Sequence, residues 1–371
     1  MQREVDGGVR QLVLLHGRDK ARAMVEPEKR SLVDITAQVL ADDDGKMGIT
    51  YTGFCLTGLP HKRLADDAAW EKAGYRVRLL VEPGRIIRGK GPTQHIGVPY
   101  GARARMILLY LQTQAVRTGS REVELGRSMR EWLARMGLSW GGETGKALRE
   151  QASRIAHCSL KFFWEGEAED GWSKGGFVRS GLRFHRRTPS DDQQADLWED
   201  RVVLDEVFYD SLRQHPVPLR EAALRELAAK SASLDLYIWL AYRLHTLQKP
   251  TPVRWAALMQ QFGGNYGRPS SFRPNFDKAL ASAVAAYPDA RVESTEEGLL
   301  LHPSRSPVAA RVYAVTASKP PPVKEGHIQV VSFPCVTASA WTRSEPPLMC
   351  ILIILFGGGG YMPATTTYQM P

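Results

Sequence analysis

The sequence predicts an α+β fold, on three observations. Stretches whose apolar residues recur at three- and four-residue steps are separated by short runs in which polar and apolar residues alternate. Glycines, prolines and capping residues stand where such elements should begin and end. One succession (helix, strand, helix, turn, helix, strand, loop, strand) is read twice, over 100–187 and over 205–302, without clear sequence identity between the copies.

In the first copy a helix is expected over 100–118, where Tyr100, Ala104, Ile107, Leu108, Leu111 and Ala115 share one face and Gly119 ends it. Residues 122–125 alternate like a short strand. Ser128, with Glu131 three residues on, makes a capping box that opens a second helix, buried through Met129, Trp132, Leu133 and Met136. A glycine-rich turn over 137–142 leads to a third helix, 145–157, with Leu148, Ala152 and Ile155 pointing one way. Strands over 159–164 and 177–185 enclose a polar loop, 165–176. That order is a winged helix: a helix-turn-helix followed by a hairpin.

On the third helix Lys146, Ser153 and His157 lie opposite the apolar stripe, flanked by Arg149 and Arg154. A cationic, hydrogen-bonding face on the second helix of a helix-turn-helix points to DNA, a merely solvated face being the competing account. Lys146, Arg149, Ser153 and Arg154 are therefore expected to enter the major groove. Lys174, Arg179 and Arg183, with Arg186 and Arg187 beside them, are expected to carry the wing to a phosphate or the minor groove.

A polar linker, 188–199, separates the copies. Helices near 205–213 and 219–229 lead to one over 233–247 that is apolar nearly all round, which predicts burial on several faces at a domain junction or a subunit interface. A strand at 251–253, a helix over 254–262, a loop, a helix over 274–287 and a hairpin of 290–294 with 299–302 follow. Phe276, Leu280, Ala283 and Tyr287 face inward on the last helix, and Arg254, Arg268, Ser270, Arg273 and Lys278 are this copy's DNA candidates.

Before the first copy, Val77, Leu79 and Val81, with Tyr75, alternate against Arg76, Arg78 and Leu80 as a strand. Residues 1–46 read as a weakly ordered lead-in with a helix near 29–41. Two basic loops, 61–63 and 88–91, are exposed loops or phosphate contacts. The expected organisation is thus a partly ordered N-terminal extension over 1–99, strand- and turn-rich from 49; winged-helix domains over 100–190 and 200–308; and a poorly ordered tail over 309–371.

A formal charge of +9 calls for a polyanionic partner, nucleic acid ahead of an anionic membrane surface. Cys55, Cys158, Cys335 and Cys350 form no CxxC pair, against a zinc module or a disulfide framework and in keeping with a reducing cytoplasm. The longest apolar run, 348–356, falls far short of the roughly 20 residues a spanning helix needs, so no membrane partner is expected. GGETGK at 141–146 is no phosphate loop, since only three residues separate Gly141 from Gly145 and Ala147 replaces the Ser or Thr that would hold magnesium. No His-x-His pair, HExxH or GxSxG is present, so the expectation is a protein that is not an enzyme and takes no cofactor and no metal.

The run GVPYGARARMILLYLQTQAVRTGSREVELGRSMREWLARMG resembles the plasmid-encoded RepA replication initiator proteins. PVPLREAALRELAAKSASLDLYIWLAYRLH, the PTPVRWAALMQQFG after it, and EEGLLLHPSRSPV carry the resemblance on, so that it covers roughly 57–308 and departs from the family's pattern by about Lys319. It implies a cytoplasmic, non-enzymatic initiator that binds repeated sequences in double-stranded plasmid origin DNA, promotes duplex opening and recruits host replication initiator and helicase proteins. A homodimer and repression of its own promoter belong to the same expectation. A tandem winged-helix transcription repressor and a basic protein-interaction module are the rival readings.

Overall fold

The computed structural model describes residues 3–5, 8–42, 45–87, 91–139, 141–165, 171–180, 201–264 and 269–308. In chain order the elements are β1 (Arg3–Glu4), α1 (Val9–Met24), α2 (Arg30–Leu40), β2 (Met47–Tyr51), α3 (Thr52–Leu56), β3 (Trp70–Gly74), β4 (Val77–Glu82), β5 (Gly84–Ile86) and β6 (Gln94–Gly97). Then come α4 (Gly101–Thr118), β7 (Glu122–Glu124), α5 (Met129–Arg135), α6 (Gly142–His157), β8 (Ser159–Trp164), β9 (Gly171–Gly176), β10 (Val178–Ser180) and β11 (Arg201–Leu204). The remainder are α7 (Glu206–Gln214), β12 (Pro216–Arg220), α8 (Glu221–Glu226), α9 (Ser231–Leu244), β13 (Thr251–Arg254), α10 (Trp255–Phe262), α11 (Pro269–Ala285), β14 (Val292–Ser294) and β15 (Gly298–Leu301). The fold is α+β, and Met1–Ala309 make one compact unit. The linker over 188–199 and the tail beyond 308 lie outside the described residues.

Local signals place the helices. Gly119 takes a left-handed φ of 66°, which lets its N–H turn back onto the last carbonyls of α4. Ser128 Oγ accepts from the Glu131 N–H at 3.2 Å, while Glu131 Oε2 accepts from the Arg127 N–H at 2.8 Å, so the capping box closes one residue wider than its simplest form. Leu148, Ala152 and Ile155 of α6 and Trp132 and Leu133 of α5 are fully buried. Burying each of the leucines and the isoleucine stabilises the fold by about 1.5–3 kcal/mol.

Long-range pairing supplies what local signals leave out. β7 pairs with β11 and β11 with β10, giving the antiparallel order β10–β11–β7. Later in the chain β13 pairs with β15 and β15 with β14, so the three-strand order recurs, extended by β1 at the far edge. Each set follows a helix, strand, helix, helix succession: α4, β7, α5, α6 and α9, β13, α10, α11. β11 falls after the linker in sequence, yet it closes the sheet of the first copy.

Several expectations are corrected. Residues 1–46 are not a loose lead-in: α1 and α2 form a helical hairpin joined by Val9, Val13, Ala21 and Val33, and α2 packs on α8 and α11. Gly17 breaks the periodicity of α1 with φ 72° and ψ 172°, which hid this helix from a pattern reading. Arg18 and Arg22 both donate to Asp34 across the hairpin. The strand after β8 is β9 at Gly171–Gly176, inside the stretch read as loop; β8 pairs with β9 on one side and with β4 on the other. Of the expected strand over 177–185 only Val178–Ser180 is described as such. Tyr75 stands in the β3–β4 turn and is 58% exposed, whereas Val77, Leu79 and Val81 are buried.

β12 pairs with β2 despite Pro216 and Pro218, and the pair lies on α4, where Thr113 Oγ1 and Gln112 Oε1 accept from the Ile49 and Tyr51 N–H groups. The all-round apolar helix, α9, is buried by its own chain against α11, α3, β12 and α4, so its composition needs no subunit interface. The most buried of the ion pairs that join the two copies is that of Arg105 in α4, which donates through Nε and Nη2 to both carboxylate oxygens of Asp235 in α9, at 2.6 and 2.7 Å; Arg117–Glu221 and Arg121–Glu206 join them nearer the surface. The same guanidinium donates to the carbonyls of Leu59, Pro60 and Gly101.

Candidate nucleic-acid interface

α5 (Met129–Arg135) leads through a turn at Gly137 to α6 (Gly142–His157). Gly137 sits at φ 69° with its open side filled by the Arg225 methylenes, so a Cβ there would meet both positive-φ strain and a clash. With its stripe buried, α6 turns Lys146, Arg149 and His157 outward and leaves Ser153 half-buried. Lys146 and Arg149 form no ion pair among the described residues, and both side chains face solvent. His157 Nδ1 lies 2.7 Å from the Ser153 carbonyl and donates to it, which leaves Nε2 as the outward nitrogen of the ring.

Arg154 does not belong to this face. It is 3% exposed, with Nη2 donating to Asp66 at 3.0 Å, Nη1 to the Val98 carbonyl at 3.2 Å and Nε to Glu150 at 3.2 Å, and its guanidinium stands over the Tyr100 ring at 5.2 Å. Burial works against the Asp66 charge, but hydrogen bonds from Arg63 and Arg154 outweigh it and hold the carboxyl below its ordinary range. Arg154 flanks the stripe on a helical wheel; the N-terminal residues packed over it, which no wheel shows, turn it from a groove residue into a structural one.

In the expected wing, Lys174 lies on β9 opposite Lys161 of β8, and Arg179 is exposed on β10. Arg183, Arg186 and Arg187 lie outside the described residues. Two cations that pattern reading passed over stand at the start of α5: Arg127 and Arg130 are exposed. The first helix of a helix-turn-helix crosses the phosphate backbone, and that rule could have found them.

The second copy is arranged differently. Arg254 is exposed at the end of β13, and Ser270 and Lys278 are exposed on α11. Arg273 is exposed too, but its guanidinium lies 4.6 Å from the centroid of Trp255 and Nη2 donates to the Thr295 carbonyl at 3.3 Å, fixing it against the β14–β15 hairpin. Pro274 lies inside α11 and removes the hydrogen bond that the Ser270 carbonyl would receive. Arg268 lies outside the described residues. Phe276, Leu280, Ala283 and Tyr287 are buried as expected, Tyr287 beyond the last residue of the helix.

Among the described residues no group of three His, Cys, Asp or Glu could hold a metal ion, and no helix is long and apolar enough to cross a membrane. Burial pushes the thiols of Cys55 and Cys158 up, away from the thiolate a nucleophile needs.

Two solved structures are similar at low identity. The crystal structure of SeMet derivatives of domains 2 and 3 of RctB aligns with a TM-score of 0.43 and 12% identity, over 68% of this chain and 94% of that one. A second crystal structure of RctB domains 2–3 aligns with a TM-score of 0.39 and 13% identity, over 67% and 93%. No curated protein matches the chain by sequence. The family model described as plasmid encoded RepA protein matches residues 98–259, from just before α4 into α10. Over that segment, which holds α5, α6 and the buried helix α9, the chain is similar to the plasmid-encoded RepA family.

Proposed function

We propose that the chain is a plasmid replication initiator that binds double-stranded origin DNA through two winged helices and acts without catalysing a reaction. The observation that carries this is the outward face of α6: Lys146, Arg149 and Ser153 on the second helix of a helix-turn-helix, with unpaired charge, inside the segment that matches the RepA family. Arg149 is the side chain with the reach and the fork to read guanine, and Lys146 is suited to phosphate. In the second copy α11 takes the equivalent place after α10, with Ser270, Lys278 and Arg254 toward the duplex. Opening of the duplex and recruitment of host initiator and helicase proteins follow binding.

The test is a salt-series titration of the full chain against duplex carrying the plasmid's origin repeats and against a scrambled duplex of equal length. Specific binding about a thousandfold tighter than to the scrambled duplex, with log affinity falling linearly in log salt, is expected. Equal affinity for both would overturn sequence readout. Permanganate reactivity of origin thymines in the complex then separates an initiator, which exposes them, from a repressor, which leaves them stacked.

A further inference from the structure

The β5–β6 hairpin belongs to none of the sheets of the two repeats, yet it is docked on α6. Both residues at its base are glycines pressed against that helix. A Cβ on Gly84 would collide with the carbonyl of His157, the last residue of α6. A Cβ on Gly97, at φ 76°, would collide with the Arg154 guanidinium and with Asp66. Glycine is needed at both points because backbone and helix approach too closely for any side chain. The position of the hairpin relative to α6 is therefore set by close packing.

Beyond this base the hairpin presents Arg85. Its side chain is exposed, and its orientation is fixed by Nε and Nη2, which donate to His95 Nε2 across the ladder at 3.2 and 3.1 Å. An accepting imidazole nitrogen orients the guanidinium without neutralising it. Arg85 pairs with no carboxylate among the described residues. Arg63 and Arg78, earlier in the chain, are by contrast bound to Asp66 and Glu71. The outward row of α6, from Lys146 through Arg149 to His157, thus ends where the base of this hairpin abuts the His157 backbone, one residue before Arg85.

Resting on the reading of α6 as the helix that enters the groove, we infer that the β5–β6 hairpin is a further DNA-contacting element, with Arg85 placed on the phosphate backbone flanking the C-terminal end of α6. The ligand is the duplex phosphodiester, and the contact adds affinity without sequence preference.

The test uses the full chain in the same salt series, with Arg85→Ala, Arg85→Glu and Arg85→Lys, and with thermal unfolding recorded for each. Arg85→Ala should weaken binding to repeat and scrambled duplex by the same factor and lower the salt slope by about one. Arg85→Glu should weaken both further, and Arg85→Lys should restore the slope. Unchanged affinity and slope in Arg85→Ala, or a loss in Arg85→Lys equal to that in Arg85→Ala, would overturn the proposal. Failure of the α6 reading looks different: wild-type chain would not discriminate the two duplexes, whatever Arg85 does.

Discussion

The outward faces of α6 and α11 hold the same kinds of residue in different states. On α6, Lys146 and Arg149 project from a helix whose inner stripe is fully buried, and neither forms an ion pair among the described residues. On α11, Arg273 is held against Trp255 and the Thr295 carbonyl, and Pro274 interrupts the hydrogen bonding of the turn that carries it. A free cation keeps its rotamers for a base or a phosphate. A stacked one has given them up to fix its own hairpin. Under the proposed function, the contrast gives sequence reading to the first copy and anchoring to the second.

The most damaging way to break the arrangement is to cut the buried ion pair between the copies. Arg105 is 5% exposed, so Asp235→Ala leaves a buried guanidinium without its carboxylate and should cost about 3–5 kcal/mol in urea unfolding. A loss below about 1 kcal/mol would show that the hydrophobic core alone holds the copies in place.

His61 sits beside the same pair, 3.7 Å from Asp235 and 2.9 Å from the Ser231 hydroxyl. Burial, reinforced by the Arg105 charge, pushes its pKa down to about 4. The unfolded chain takes up that proton near pH 6.5 and the folded chain refuses it until about 4, so stability should fall as the pH drops through this window. The contribution to the slope is up to about 1.4 kcal/mol per pH unit. Melting curves between pH 7 and pH 4.5 should be flatter for His61→Gln, and identical curves would exclude this origin.

Arg149→Ala sharpens the comparison directly. It should cost about 1–3 kcal/mol of affinity for the repeat, relax the preference over scrambled DNA, and leave the unfolding midpoint unchanged. Arg273→Ala should behave in the reverse sense, lowering stability by about 0.5–1 kcal/mol through the lost cation–π contact while leaving the preference for repeat over scrambled duplex unchanged. If Arg273→Ala relaxed specificity as Arg149→Ala does, the division of labour between the two helices would be wrong.

Much of this was legible in the residues themselves. The stripes of α4, α5 and α6, the Ser128 cap, the Gly119 stop and the final hairpin all follow from interactions within a few residues, and such interactions leave a period or a punctuation mark in the sequence. The exposure of Lys146, opposite the α6 stripe, and of Arg149, flanking it, was legible in the same way. What only the tertiary structure decided is everything carried by pairing at a distance. β12 runs against β2 through two prolines, β11 crosses a linker to finish the sheet of the first copy, and β4 and the β5–β6 hairpin of the N-terminal region support β8 and α6. Arg154 shows the limit most clearly. Its place on the helix is set by its number, but whether its charge meets DNA or Asp66 depends on a segment some 90 residues earlier that packs over it, and no local pattern encodes that contact.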